Sequence, residues 1–201
     1  ADVYPAGRLD LDSEGLLFLS NDGALMHRLT DPAYDHPKTY FVQVEGVVSA
    51  EALGRLEGGV EVKGRMTRRC QAMEIPEPEL PERAKPVTPH GPTTWLRIVL
   101  REGKKRQIRH MTAAVGHPTL RLVRVAVGPL SLGTLQPGEW RALEPQEAAH
   151  LRRSFSQRRV SGGQTPGASS NNTPGSRYRS GGHRSPDRGN RPRGARDPKP
   201  T

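Results

Sequence analysis

Lys38-Thr39-Tyr40-Phe41-Val42-Gln43-Val44-Glu45 is the stretch that decides the fold. Tyr40, Val42 and Val44 recur at every second position, so the segment reads as a strand with one face turned to a core. Gly46 ends it, Ser49 caps a following helix, and Leu53, Leu56 and Val60 give that helix an apolar stripe. Upstream, Asp22 caps a short helix with Leu25 and Leu29 on one face, stopped by Thr30-Asp31-Pro32. The apolar run Gly15-Leu16-Leu17-Phe18-Leu19-Ser20, bounded by turn residues, predicts a buried strand. Downstream, Val60–Ile75 predicts two short strands around Lys63-Gly64-Arg65, and six prolines from Pro76 to Pro92 predict an extended surface loop. Thr93–Arg101 has strand chemistry, and Lys105–Val115 reads as a helix with Ile108, Met111 and Val115 inward and Gly116 at its end. Strands near Leu120–Val127 and Glu139–Leu143 and a helix opened by Pro145 complete the order. Consecutive strands mixed with isolated helices make this an α+β fold with a mixed, largely antiparallel sheet flanked by helices.

Charge divides the chain differently from the elements. Of 31 Lys and Arg against 21 Asp and Glu, the first 150 residues hold 19 of each sign, so the net charge of +10 lies in the last 51 residues. Those 51 contain only six residues of the apolar and aromatic types, too few to offset the chain entropy of folding. We therefore expect a folded domain over residues 1–153 and a disordered tail rich in Arg, Gly, Ser and Pro over residues 154–201. Arginines spaced among Gly and Ser are suited to holding an RNA backbone through its phosphates. Cys70 stands alone, which excludes an intramolecular disulfide and a thiolate-rich metal site, and a reducing cytoplasm is the expected compartment. Leu16–Leu19 falls far short of the ~20 apolar residues of a membrane helix, so no membrane role is expected. The chain opens at Ala1 without Met, and we expect that a segment preceded it.

Two charged clusters stand out. In Gly7-Arg8-Leu9-Asp10-Leu11-Asp12-Ser13-Glu14-Gly15, acids at first, third and fifth place before a Gly match the opening of a calcium loop. The match fails at the twelfth place, where Asn21 stands instead of a bidentate Glu, so no metal is expected. Asp12 and Glu14 read as solvated turn residues. Asp10 differs, because Leu9 offers an apolar anchor that can hold its carboxylate at a pocket floor. In Arg101-Glu-Gly-Lys-Lys-Arg-Gln-Ile-Arg109, Lys104, Lys105 and Arg106 stand at a helix start, where the helix dipole disfavours cations. Placing them there costs stability, which points to phosphate binding. Arg109 lies on the core side, where a guanidinium pairs with a carboxylate, and Asp10 is the expected partner. The seven histidines show no ligand spacing.

Gly7-Arg8-Leu9-Asp10 with Asp12-Ser13-Glu14-Gly15-Leu16-Leu17, then Lys38-Thr39-Tyr40, then Glu102-Gly-Lys-Lys-Arg-Gln-Ile-Arg109-His-Met111 resemble, in order, the three motifs of the pseudouridine synthases that act on ribosomal RNA. Leu120-Arg-Leu-Val-Arg124, Gly128-Pro129-Leu130 and Gly138-Glu139-Trp140-Arg141 fit as well, so the likeness runs from about Tyr4 to Leu143. Within the family, Pro92–Arg141 looks closest to the large-subunit type E enzymes. The family's strand-containing segment before Gly7 is not in this chain, and the basic tail is not part of the motif pattern.

The resemblance implies a pseudouridine-synthase fold and site-specific conversion of a uridine, in 23S rRNA, to pseudouridine. Asp10 would be the nucleophile, Tyr40 would stack on the base and take part in removing the carbon-5 proton, and Arg109 would hold Asp10 ionised. Arg8 would fill the gap left by the extruded uridine, and Lys38, Lys104, Lys105 and Arg106 would contact RNA. No cofactor or metal is implied, and a monomer is expected. Flipping a base from a stem costs a few kcal/mol, which backbone contacts must offset. Three other readings compete with this one. They are an RNA-binding ribosome assembly factor on the same fold, a synthase acting on 16S or another RNA, and a carboxylate hydrolase using Asp10 with Asp12 or Glu14, disfavoured for want of a leaving-group acid.

Overall fold

The computed structural model describes residues 2–83 and 85–154. The tail expected over residues 154–201 lies, from residue 155 onward, outside them. In chain order the early elements are β1 (Tyr4–Pro5), β2 (Glu14–Gly15), β3 (Leu19–Ser20), α1 (Gly23–Thr30), β4 (Lys38–Glu45) and α2 (Ala50–Gly58). There follow β5 (Glu61–Val62), β6 (Arg65–Met66), β7 (Gln71–Ile75), β8 (Thr93–Leu100), α3 (Gln107–Ala114), β9 (Thr119–Val127), β10 (Leu130–Ser131) and α4 (Pro145–Ser154).

β4 is the middle of a six-stranded sheet, antiparallel to β8 on one side and β9 on the other. β7 extends the sheet beyond β8, also antiparallel; beyond β9 lie β10, antiparallel, and β2, parallel. The expected mixed, largely antiparallel sheet is therefore present. Val42 and Val44 are fully buried and join Leu96, Ile98, Leu100 and Leu122 in the main core, against Ala52 and Leu56 of α2 and Ile108 and Met111 of α3. Tyr40 packs at the edge of this cluster, as the alternation required. A second cluster gathers Ala6, Leu25, Leu29, Val127, Leu130 and Leu151. The expected caps form: Asp22 accepts from Leu25 N at 3.0 Å and Ser49 Oγ from Ala52 N at 3.2 Å.

Four local readings need correction. The run from Gly15 to Ser20 is not one buried strand. Gly15 and Leu19 belong to different sheets, and only Leu16 and Phe18 pack inward while Leu17 and Leu19 are exposed. Gly15 causes the break, since its φ of 103° turns the chain out of β2. Between Val60 and Ile75 the two expected strands form the β5–β6 hairpin, but a third, β7, follows as the sheet edge. Ala72 is its only fully buried position, which left little apolar period to read. No strand forms over 139–143, where Trp140 is 81% exposed and Arg141 is drawn to Glu147 of α4. α3 begins at Gln107 instead of Lys105, because Arg106 takes the left-handed conformation at φ 54° and ends the preceding turn.

Candidate active site

The sheet assembles the site through β9. On one side its register sets Arg124 directly opposite Tyr40, with an irregularity between Thr39 and Tyr40 that offsets the pairing. On the other side β2 pairs with Val123 and Arg124, and Leu16 N donates to Arg124 O at 2.8 Å. The turn that carries Asp10 is thereby drawn to the strand that faces Tyr40. Within it Ser13 N donates to Asp10 O at 2.9 Å.

A cleft of about 530 Å³ results, and Arg8, Asp10, Lys38, Tyr40, Lys104, Lys105 and Arg106 all line it. Seven of the eight side chains singled out from the sequence share this one space, although they come from three segments separated by dozens of residues. The eighth, Arg109, is not part of the lining. A smaller depression of about 360 Å³ between Leu130 and α4 holds none of these residues.

Arg109 and Asp10 were expected to pair; Arg109 pairs with Asp12 instead. Its Nη2 donates to the Asp12 carbonyl at 2.7 Å and lies 3.3 Å from Oδ2, while Nη1 donates to Thr119 O at 3.2 Å. The anchor on Thr119, at the start of β9, fixes the guanidinium against the turn. Asp12 is half-exposed but not merely solvated, for Arg106 grips its carboxylate with two bonds, Nη1 to Oδ1 at 2.8 Å and Nη2 to Oδ2 at 2.9 Å. Arg106 first, with Arg109 adding its charge, pulls the Asp12 carboxyl below the usual range against the opposing effect of burial. Glu14 takes Arg121, at 2.8 and 3.1 Å, and Arg83 at 3.3 Å. Arg83 also donates to the Asp12 carbonyl at 3.3 Å, and Arg121 to Pro81 O at 2.7 Å. The proline-rich loop thus carries no helix or strand, as expected, yet it is tied to the acidic turn.

Arg124 lines the cleft, is 7% exposed, donates from Nε to Leu16 O at 2.8 Å, and was not singled out as a site residue. The signal was available: Leu122 and Arg124 share one strand face, so a buried Leu foretold a buried cation beside it. Burial raises the Tyr40 phenol above its ordinary value, opposed by Arg124 and reinforced by the charge of Asp10. Burial, then Arg124, lowers the Lys38 ammonium, with Asp35 opposing. Glu102 closes the turn before α3: it accepts from Arg68 N at 2.9 Å and from Gln107 Nε2, and lies 3.4 Å from Lys104 Nζ. Gln107 in turn accepts from Lys104 N at 3.0 Å, so the cationic segment is held in a fixed shape. Among the described residues no group of three or more His, Cys, Asp or Glu side chains is placed to hold a metal ion.

A carboxylate and a partly buried phenol lining one cleft, within a rim of cations, could act on a ring displaced from a polyanion. Residues 1–114 match the family model of RNA pseudouridylate synthase. The chain belongs to that family. It is 50% identical over 145 residues to ribosomal large subunit pseudouridine synthase E of Vibrio parahaemolyticus, covering 71% of this chain and 61% of that protein. To the protein of the same name from Xanthomonas axonopodis pv. citri it is 55% identical over 139 residues, covering 68% and 73% respectively. A solved pseudouridylate synthase crystal structure superposes with a TM-score of 0.63 at 28% identity, covering 74% of this chain and 59% of that one. The pseudouridine-synthase fold follows from these likenesses. The chain spans about three fifths of the length of the Vibrio relative. No described helix is long and apolar enough to cross a membrane.

Proposed function

We propose that this chain isomerises a specific uridine of 23S rRNA to pseudouridine, in the cytoplasm, as a monomer, without metal or cofactor. The observation that carries this reading is the meeting of Asp10 and Tyr40, thirty residues apart, in one cation-rimmed cleft. The names of the half-identical relatives favour the large-subunit RNA as target.

Asp10 acts as nucleophile on the extruded nucleotide. Its carboxylate bonds to the sugar carbon as the bond to uracil N1 breaks, the uracil turns in the cleft, and its carbon 5 then bonds to the same sugar carbon and releases Asp10. Loss of the carbon-5 proton and return of one to N1 leave the composition unchanged. Tyr40, kept a phenol by burial, stacks on the base and takes part in the proton removal through its oxygen. Arg124 across the sheet favours negative charge on that oxygen. Lys38, Lys104 and Lys105 meet the RNA backbone, Arg106 adds its charge to the rim, and Arg8 occupies the space the uridine leaves. Arg109 supports Asp10 at one remove, by fixing the turn through Asp12. The basic segment over residues 154–201 adds phosphate contacts without base preference.

The test is nucleotide-resolution mapping of pseudouridine in 16S and 23S rRNA from cells with the intact gene, a deletion, or Asp10→Asn. We expect one 23S site to be lost in both altered strains. Loss in the deletion alone points to an assembly factor with dispensable chemistry, and loss of a 16S site corrects the substrate.

A further inference from the structure

Asp12 is contacted by three guanidiniums, two of them at its carboxylate. Arg106 gives it both terminal nitrogens, and Arg109 approaches its carboxylate and binds its carbonyl. Arg83 reaches the same carbonyl from the proline-rich loop. Arg106 does this from a left-handed backbone, an uncommon conformation for a residue with a side chain and one that neighbouring contacts must hold in place. Arg109, with its side chain 11% exposed, has a buried Nε without a partner among the described residues, so Asp12 and Thr119 supply its compensation. Two residues before Asp12 stands Asp10, closed into the same turn by the bond from Ser13 N.

We propose that Asp12 is a positioning residue with two effects: it pins the turn that presents Asp10, and it keeps Arg106 from binding RNA phosphate. The first effect rests on the pseudouridine reading; the second requires only that the cleft bind RNA. A turn held by two guanidiniums presents the nucleophile at one position, and small displacements of a reacting group are costly in rate. A guanidinium already bound bidentately to a carboxylate has little to gain from a phosphate, because both its fork and its charge are matched. Extra phosphate contacts would bind substrate and transition state alike, tightening the complex without speeding the reaction.

The experiment compares the full chain with Asp12→Asn and Arg106→Gln on a 23S rRNA transcript. RNA affinity is measured across a range of salt concentrations, and pseudouridine formation in a single turnover at saturating RNA. Asp12→Asn is expected to bind several-fold tighter, with the salt slope steeper by ~1 for each phosphate newly contacted, and to react at least tenfold more slowly. That opposition separates positioning from mere loss of structure, which would weaken binding and rate together. Arg106→Gln, at a half-exposed side chain, is expected to react slowly while keeping the salt slope, since no phosphate contact is lost. An unchanged saturated rate in either variant overturns the first effect. Weaker binding by Asp12→Asn, or a shallower salt slope in Arg106→Gln, overturns the second. If the unaltered chain makes no pseudouridine in any RNA, the functional reading fails, and the salt slopes still decide whether Asp12 withholds Arg106.

Discussion

Gly15 shows how much one residue can decide. Its φ is 103°, and a Cβ built on it would stand 2.3 Å from Arg124 O, inside the parallel contact of β2 with β9. Gly15→Ala is therefore expected to cost at least ~1–3 kcal/mol from backbone strain, more once β9 shifts, and to be seen as a lower urea midpoint. An unchanged midpoint would mean that the β2–β9 contact is not held this closely. Cys70 is a case of the reverse kind, a reactive group made inert. Burial first, then the charges of Glu57 and Glu102, push its thiol up to about 11, and it donates to Leu56 O at 3.1 Å. At pH 8 the thiolate fraction is then ~100-fold below that of a free thiol, so iodoacetamide should alkylate Cys70 correspondingly slowly until the chain is unfolded. Rapid labelling of the folded protein would contradict this.

At the scale of elements, α4 carries a pair that can be titrated. Arg141 binds Glu147 at 2.7 and 2.8 Å, Glu147 also accepts from Glu144 N at 2.9 Å, and these partners lower its carboxyl to about 2. A carboxyl lowered on folding adds stability above its ordinary value of 4.5, and loses that contribution as pH falls towards 2. Both side chains are well exposed, so the stabilisation is small. The local signal should still be clear in an NMR titration of the Glu147 carboxyl, with a midpoint near 2 that returns towards 4.5 in Arg141→Ala. A midpoint already near 4.5 in the unaltered protein would show that the pair does not persist in solution. Two of the elements the sequence misread share a cause. β7 and the segment over 139–143 carry similar weak alternation, and only the first finds a free strand edge, on β8.

At the scale of the whole molecule, two apolar clusters lie on either side of the site. The larger packs α2 and α3 on the sheet; the smaller joins Ala6, α1, the end of β9 and α4 through Leu151, which is 0% exposed. Leu151→Ala is expected to cost ~2–5 kcal/mol and to raise hydrogen exchange first over α4, with β4 and β8 still protected. Equal loss of protection in α4 and the central strands would mean that the two clusters unfold as one.

The main strands, two helix caps and seven of the cleft residues are legible in the sequence alone. Alternation, cap chemistry and turn residues are local properties, and they placed β4, β8, β9, α1 and α2 and marked Asp10, Tyr40 and the Lys104–Arg106 cations. The sequence did not determine pairing among charges. Arg109 is equally free in sequence to meet Asp10 or Asp12, because the choice depends on where Thr119 anchors the guanidinium and how the turn closes at Ser13. The partners of Asp12, Glu14, Arg83 and Arg121 became legible only after β9 paired with both β2 and β4 and the proline-rich loop returned over the acidic turn. Ion pairs act over a few ångströms between residues up to a hundred positions apart, so the fold had to form before their partners could be named.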